Sequence, residues 1–327
     1  MAETSETVHQ LGERGTLARI LPLLPKASSV IVPPGDDSAV SVVDGARVVT
    51  TCDMMIEGPD FRLDWSTPHD LGVKAMASNL ADVAAMGAVP TGVIVAVACP
   101  PNTSVSVLED LARGISDGLS EMAPRCGVLG GDLSVAPVLT ISVTVIGELR
   151  SRTPVLRSGA RPGDVVAVVG ELGLSERGLR ELTTAGNDPS ALATLRDTSV
   201  AVRHHLAPIA PVSKGVVAAD AGATAMMDIS DGLVLDATRM AEASGVTINL
   251  NAELADDDAA LMGGEDHGLL ACFPHDTALP DGFAAVGLVE PAHAGARVLV
   301  GGHTPAVTRG GWDPYRDSSS VNTRVSP

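Results

Sequence analysis

Thr67-Pro68-His69-Asp70-Leu71-Gly72-Val73-Lys74-Ala75-Met76-Ala77-Ser78-Asn79-Leu80-Ala81-Asp82-Val83-Ala84-Ala85-Met86-Gly87 reads as a helix with both of its ends written in. Thr67 can cap it, Pro68 suits a first turn where a missing N–H costs nothing, and Gly87 suits the exit. Leu71, Ala75, Met76, Leu80, Val83 and Met86 recur at helical spacing, and Asn79 and Asp82 share a neighbouring face. Runs rich in Val and Ile, bounded by Gly or Pro, stand on either side at residues 47–51 and 92–98, with a third at 138–146. These read as strands, so the first half alternates strand and helix in an α/β or α+β manner.

A chain of 327 residues exceeds the usual single domain, and at 45% hydrophobic and 19% charged it has apolar material for two cores. At residues 149–164 Arg, Ser, Pro and Gly replace the apolar runs, and a new strand starts at 165–169. The seam is placed there, giving expected domains of 1–150 and 151–327. The second half reads as helices around 172–182, 188–198, 213–219 and 233–243, a strand into Asp228, and strands near 246–250, 267–273, 283–288 and 297–300. From Asp313 the tail is polar, and its end, from about 316, is expected to be flexible.

The formal net charge of −18 repels nucleic acid and anionic membrane and leaves no basic stripe. An enzyme of that charge that handles phosphates needs cations to draw them in. Cys52, Cys99, Cys126 and Cys272 lack CxxC pairing and read as reduced packing residues. The polar N-terminus has no signal-like apolar core, and no run reaches the length of a spanning helix, so the expected location is the cytoplasm.

Aspartates gather where strands are expected to end. Asp36 and Asp37 follow Pro33-Pro34-Gly35, Asp53 follows Val48-Val49-Thr50-Thr51, Asp132 follows Leu129-Gly130-Gly131, and Asp228 follows Ala225-Met226-Met227, with Asp231 one helical step on. Any one of these is commonly a turn or cap residue. Together with Asp82, and with no Lys or Arg beside them in sequence, they would repel one another unless hard cations such as Mg²⁺ sat between them. Magnesium in turn calls for a polyphosphate and an in-line phosphoryl transfer. There is no G-x-x-x-x-G-K-[ST] loop and no G-x-G-x-x-G opening a helix. The Gly-rich spots Gly130-Gly131-Asp132 and Gly263-Gly264-Glu265-Asp266 are weak signals taken singly, and a Gly-Gly pair before an acid often marks a tight turn.

Taken in order, Gly35-Asp36-Asp37-Ser38-Ala39-Val40, Thr51-Cys52-Asp53-Met54, residues 79–88, Gly130-Gly131-Asp132, Leu156-Arg157-Ser158-Gly159, Asp228-Ile229-Ser230-Asp231-Gly232-Leu233 and Gly263-Gly264-Glu265-Asp266 resemble the motif series of the thiamine-monophosphate kinase family. The resemblance runs from about Gly12 to Trp312. It implies the two-domain architecture of the aminoimidazole ribonucleotide synthetase-like superfamily, with an N-terminal half that binds ATP and magnesium and dimerises, and a C-terminal half that completes the nucleotide and acceptor site. By the same resemblance Asp36, Asp37, Thr51, Asp53, Asp82, Asp132, Asp228 and Asp231 would hold Mg²⁺, and Gly130, Gly131, Asp132, Arg157 and Ser230 would contact ATP. Asp53, Asp132, Arg157 and Asp231 are the catalytic candidates. Two superfamily relatives, selenophosphate synthetase and a hydrogenase-maturation enzyme, need cysteines that this chain lacks at the corresponding places. The implied reaction phosphorylates thiamine monophosphate to thiamine diphosphate in a homodimer. Its acceptor is already anionic, so no general base is required, in keeping with the absence of an obvious His-acid pair near the motifs.

The acceptor side departs from the family. Asp60-Phe61 stands where a His-Phe pair is usual, residues 254–263 are short, and the C-terminal run is Gly311-Trp312-Asp313-Pro314-Tyr315. Asp60, Phe61, Glu265 and Trp312 are the substrate-side candidates, with Phe61 and Trp312 as stacking partners or as packing residues. Ordinary drift accounts for these changes. The alternatives are a paralogue that phosphorylates another acceptor, such as an amide or carboxylate oxygen, and a binding protein without turnover.

Overall fold

The computed structural model describes residues 6–32, 40–41, 43, 47–293, 295 and 297–305. Its elements in chain order begin with helix α1 (Val8–Ile20) and a short pair, β1 (Val30–Val32) and β2 (Val40–Ser41). The first large unit follows as β3 (Val48–Ile56), α2 (Pro68–Ala85), β4 (Val89–Cys99), α3 (Val105–Met122), β5 (Val128–Val135) and β6 (Thr140–Glu148). Beyond residues 149–164 come β7 (Val165–Val169), α4 (Leu174–Ala185), α5 (Pro189–Thr198), α6 (Val200–Leu206), α7 (Val212–Asp220), β8 (Ala225–Ile229) and α8 (Leu233–Ser244). The chain then forms β9 (Thr247–Leu250), α9 (Asp258–Met262), β10 (Gly268–Phe273), β11 (Ala284–Glu290) and β12 (Val298–Val300).

The first sheet has the order β3-β6-β4-β5, with only β4 and β5 parallel. The second has the order β12-β9-β11-β7-β10-β8, antiparallel except for β12 with β9. Helix α2 starts at Thr67, whose side chain and that of Asp70 exchange hydrogen bonds with each other's backbone amides. It ends as Gly87 turns into the left-handed region at φ 73°.

Helix α2 is buried on nearly every side, because it lies between the two sheets. It touches β3, β4 and β6 of the first and β8 and β10 of the second. The main core accordingly joins Leu71, Met76, Leu80 and Val83 to Val143 and Val145 on one side and to Met226, Leu269 and Phe273 on the other. A second core lies between the far face of the second sheet and α8, around Val166, Ile229, Met240 and Ile248. Helices α4, α5 and α6 enclose a small third core of Leu182, Leu192, Val202 and Leu206, against which Trp65 packs.

Among the described residues no helix covers the opposite face of the first sheet. That face presents Val48 (47% exposed), Met54 (56%) and Ile94 (39%). Among the described residues no helix is long and apolar enough to cross a membrane.

Candidate active site

Strand β3 and helix α2 form one wall of the site. Thr51 Oγ1 donates to Asp82 Oδ2 at 2.7 Å, and the Asp53 amide donates to Asn79 Oδ1 at 3.0 Å. Asn79 is itself fixed by donating Nδ2 to the Ala75 carbonyl at 3.0 Å. The neighbouring-face position of Asn79 and Asp82 on the helix thus presents both to the strand. From the second sheet Asp228, on β8, and Asp231, just beyond it, approach the same place. Burial and then the charge of Asp228 raise the pKa of Asp53, with a smaller push from Asp231. Asp82 is pushed up to about 6 by burial and by Asp228, against the lowering effect of its Thr51 hydrogen bond. The aspartates do not mark strand ends as the sequence suggested: Asp53, Asp132 and Asp228 all lie inside strands.

The loop from β8 into α8 is held from behind. Asp236, fully buried, accepts the amides of Ser230 at 3.1 Å and Asp231 at 3.0 Å, and takes Arg239 Nη1 at 2.7 Å. Burial pushes Asp236 up to about 7, although its hydrogen bond from the Asp231 backbone opposes this. Arg239 Nη1 also reaches Asp231 Oδ2 at 2.6 Å. The acid cluster is therefore not free of basic neighbours, a point that spacing along the chain cannot reveal because the contact arises across turns of α8. Neither Asp236 nor Arg239 carries a signal of its own in the sequence.

The segment Glu265-Asp266-His267 closes the site. Glu265 (φ 64°) and His267 (φ 53°) both adopt the left-handed backbone that L-residues avoid, a strain held in place by neighbours. The Glu265 amide donates to the Ser230 carbonyl at 2.8 Å, tying this loop to the β8–α8 loop. Asp266 is buried and caps α4, accepting the amides of Gly173 at 2.5 Å and Ser175 at 2.7 Å, so its work is structural. His267 is buried with Nδ1 3.6 Å from Asp228 Oδ2. Burial opposes its protonation, but Asp228 and then Glu265 outweigh this and raise its pKa. The structure thus contains the His-acid pair that the sequence gives no sign of, formed between residues 39 positions apart on adjacent strand ends.

Not every candidate joins this group. Asp132 lies on β5, three strand steps of the sheet order from β3, about 14 Å at ordinary strand spacing. It pairs in register with Ala96, which pairs with Ser142, which pairs with Met54, a row on the open face of the sheet. Asp53 aligns instead with the buried Val143 and Val95 on the other face. Asp132 and Gly130 of one chain are therefore separated from Asp53 by both strand order and sheet face. Gly131 aligns with Val95 and serves close packing, since a Cβ there would stand 2.0 Å from the Val95 carbonyl oxygen.

Arg157 is exposed, with its carbonyl accepting Ser244 Oγ at 2.9 Å, and is not among the charges that chiefly set Asp53 or Asp82. Phe61 is 7% exposed and belongs to the main core, so it offers no open stacking face. Asp60 Oδ2 accepts the Ile56 amide at 2.7 Å, and its pKa is raised by burial, with Glu265 adding to the shift and Lys74 opposing it. Asp36, Asp37, Trp312 and the tail from 316 lie outside the described residues.

Among the described residues no group of three or more His, Cys, Asp or Glu is placed so that it could hold a metal ion by itself. The donor set nonetheless fits Mg²⁺. Asp53, Asp82 and Asp228 are hard oxygen donors whose mutual repulsion a divalent ion between them would relieve.

The patterns described as AIR synthase related protein, N-terminal domain and C-terminal domain match residues 35–149 and 161–294. A thiamine-monophosphate kinase of Mycobacterium tuberculosis is 43% identical over 322 residues, covering 92% of this chain and 91% of the relative. The chain belongs to the thiamine-monophosphate kinase family. A family relative in Bacillus subtilis is 34% identical over 74% of this chain. Among solved structures, AaThiL complexed with AMPPCP and TMP superimposes with TM-score 0.70 at 30% identity, covering 95% of this chain and 99% of that one. The kinase of the family from Stenotrophomonas maltophilia gives TM-score 0.73 at 28% identity, over 88% of this chain and 95% of that one.

Proposed function

We propose that this chain transfers the γ-phosphoryl group of ATP to the phosphate of thiamine monophosphate, giving thiamine diphosphate and ADP. The observation that carries the reading is the convergence of Asp53 from β3, Asp82 from α2, and Asp228 and Asp231 from the end of β8, in a chain similar over most of its length to thiamine-monophosphate kinases. AaThiL, complexed with an ATP analogue and TMP, supports ATP as the co-substrate.

An oxygen of the acceptor phosphate forms the new bond to Pγ as the bond to the ADP oxygen breaks. That oxygen carries no proton to remove at neutral pH, so His267 need not act as a base. Mg²⁺ held by Asp53, Asp82 and Asp228 would neutralise the charge of two approaching anions. Thr51 and Asn79 keep the β3–α2 wall in place, and Asp236 and Arg239 keep the Ser230-Asp231 loop in place. Ser230 and Arg157 are assigned to ATP, Asp60 and Glu265 to the acceptor. The chain is assigned to the cytoplasm, and its N- and C-terminal halves are taken as domains 1–150 and 151–327.

We further propose a homodimer joined through the open faces of the N-terminal sheets. The apolar row of Val48, Met54 and Ile94 gives that face a reason to be covered by a second copy. Asp132, with Gly130, would then serve the partner's site rather than its own. This reconciles its separation from Asp53 with its place in the motif series.

The first experiment is steady-state turnover with ATP, Mg²⁺ and thiamine monophosphate, detecting thiamine diphosphate directly. Product formation is expected. Tight Mg-ATP binding without product would favour the paralogue with another acceptor, the reading that Asp60 motivates.

A further inference from the structure

Lys74 is buried in the middle of α2, a place where an ammonium group is costly unless it is paired. Its Nζ donates to Glu265 Oε1 at 2.8 Å and to the His205 carbonyl at 3.3 Å. Three separate parts of the chain meet there: the helix between the sheets, the end of α6, and the strained 263–268 loop. The other Glu265 oxygen lies 3.5 Å from His205 Nδ1, which is 2.9 Å from Ser175 Oγ at the start of α4. Glu265 is the exposed end of this chain of contacts, with 38% of its side chain accessible against 6% for Lys74. The charges of both Glu265 and Lys74 are felt at Asp60, so the three groups share one corner of the site.

We infer that Lys74 is a positioning residue for acceptor recognition: it anchors Glu265 in its left-handed loop so that Glu265 and Asp60 form an anionic corner for the cationic ring of the acceptor. The corner carries two carboxylates against one ammonium, and the remaining negative charge suits a thiazolium and opposes a phosphate. A phosphate-free end of the acceptor is therefore held there, away from the Asp53–Asp228 cluster where its phosphate must react. This rests on the reading that thiamine monophosphate is the acceptor. Lys74 touches neither acceptor nor ATP in this scheme; it acts through Glu265.

The test is a double-mutant cycle with Lys74→Met, Glu265→Gln and both together, measuring KM for thiamine monophosphate and for ATP separately. Each single variant is expected to raise the acceptor KM by about tenfold or more while the ATP KM stays within about twofold, and the double variant should be no worse than Glu265→Gln. Losses that multiply in the double variant, or an ATP KM that rises in step, would overturn the proposal. If Lys74→Met fails to fold because it leaves a carboxylate without its partner, the double variant removes both charges and is compared with Glu265→Gln: an equal acceptor KM supports the proposal, and a higher one overturns it. Amide hydrogen exchange across residues 263–268 separates this proposal from the assigned reaction. Faster exchange in Lys74→Met, or in the double variant, is expected even if the wild type forms no thiamine diphosphate. Unchanged exchange means Lys74 does not anchor the loop.

Discussion

At the residue scale, the acid cluster trades stability for chemistry. Asp53 and Asp82 have pKa values raised by burial and then by the charge of Asp228, so their ionised forms are costly in the folded state. Asp53→Asn should therefore lower thiamine diphosphate formation by about two orders of magnitude or more while leaving the metal-free thermal midpoint unchanged or higher. The wild type should gain thermal stability on adding Mg²⁺, and the variant should gain less, because a ligand stabilises in proportion to its affinity for the folded state. A variant with wild-type turnover would remove Asp53 from the metal set. Asp60→His tests the acceptor side: a higher rate on thiamine monophosphate would make Asp60 a specificity change, and an equal or lower rate would make it compensated drift.

Much of this scale was legible in the chain. Asp53, Asp82, Asp228 and Asp231 stand out because acids in apolar surroundings are rare and costly. Asp236, Arg239 and His267 do not, since an acid and a base on a helix, or a His beside a Gly, carry no unusual pattern until the backbone brings them round. Phe61 was legible only as an aromatic beside a motif, which is equally the signature of a core residue.

At the scale of elements, the two ends of α2 were written in Thr67, Pro68 and Gly87, but β5 was hidden. Gly130-Gly131 has the look of a turn, yet Gly131 sits in a strand because no side chain fits against the Val95 carbonyl. Helix α3, absent from the elements read in the sequence, crosses α2 at glycines: a Cβ on Gly114 would stand 2.0 Å from the His69 carbonyl oxygen, and one on Gly72 2.4 Å from that of Leu111. Gly114→Ala should push the two helices apart at a cost of about 1–3 kcal/mol, read as a lower midpoint in urea.

Helix α6 carries a pH dependence. Burial, followed by the Lys74 charge, lowers the pKa of His205 from 6.5 to about 4. The folded protein thus prefers the neutral ring. Above the unfolded pKa both states are neutral and the stability is fully present; as pH falls from about 6.5 towards 4, the unfolded chain takes up a proton that the fold resists. Glu265, Asp266 and His204 also face the ring, and the two carboxylates temper the effect. About 3 kcal/mol of stability should be lost across that window. Denaturant melts of wild type and His205→Gln at several pH values check this, and the variant should show a flatter profile between pH 4 and 6.5.

For the whole molecule, most strands of both halves could be read from their Val- and Ile-rich runs, while the sandwiching of α2 could not, because apolar spacing does not say how many faces a helix buries. The proposed dimer makes a sharp expectation. If Asp132 serves the partner, coexpressed Asp53→Asn and Asp132→Asn chains, each nearly inactive alone, will form mixed dimers with one intact site, restoring about a quarter of wild-type turnover in a random mixture. If both residues serve their own chain, mixing restores nothing.

The core that runs through α2 from one sheet to the other bears on how the protein melts and how it works. Two lobes joined by a thin strap would each absorb heat at its own temperature. A shared interior built around one central rod gives neither lobe a way to come apart alone. Calorimetry should record a single endotherm, and substrates must enter by the yielding of rim loops, since no clamshell can swing open about a solid axle.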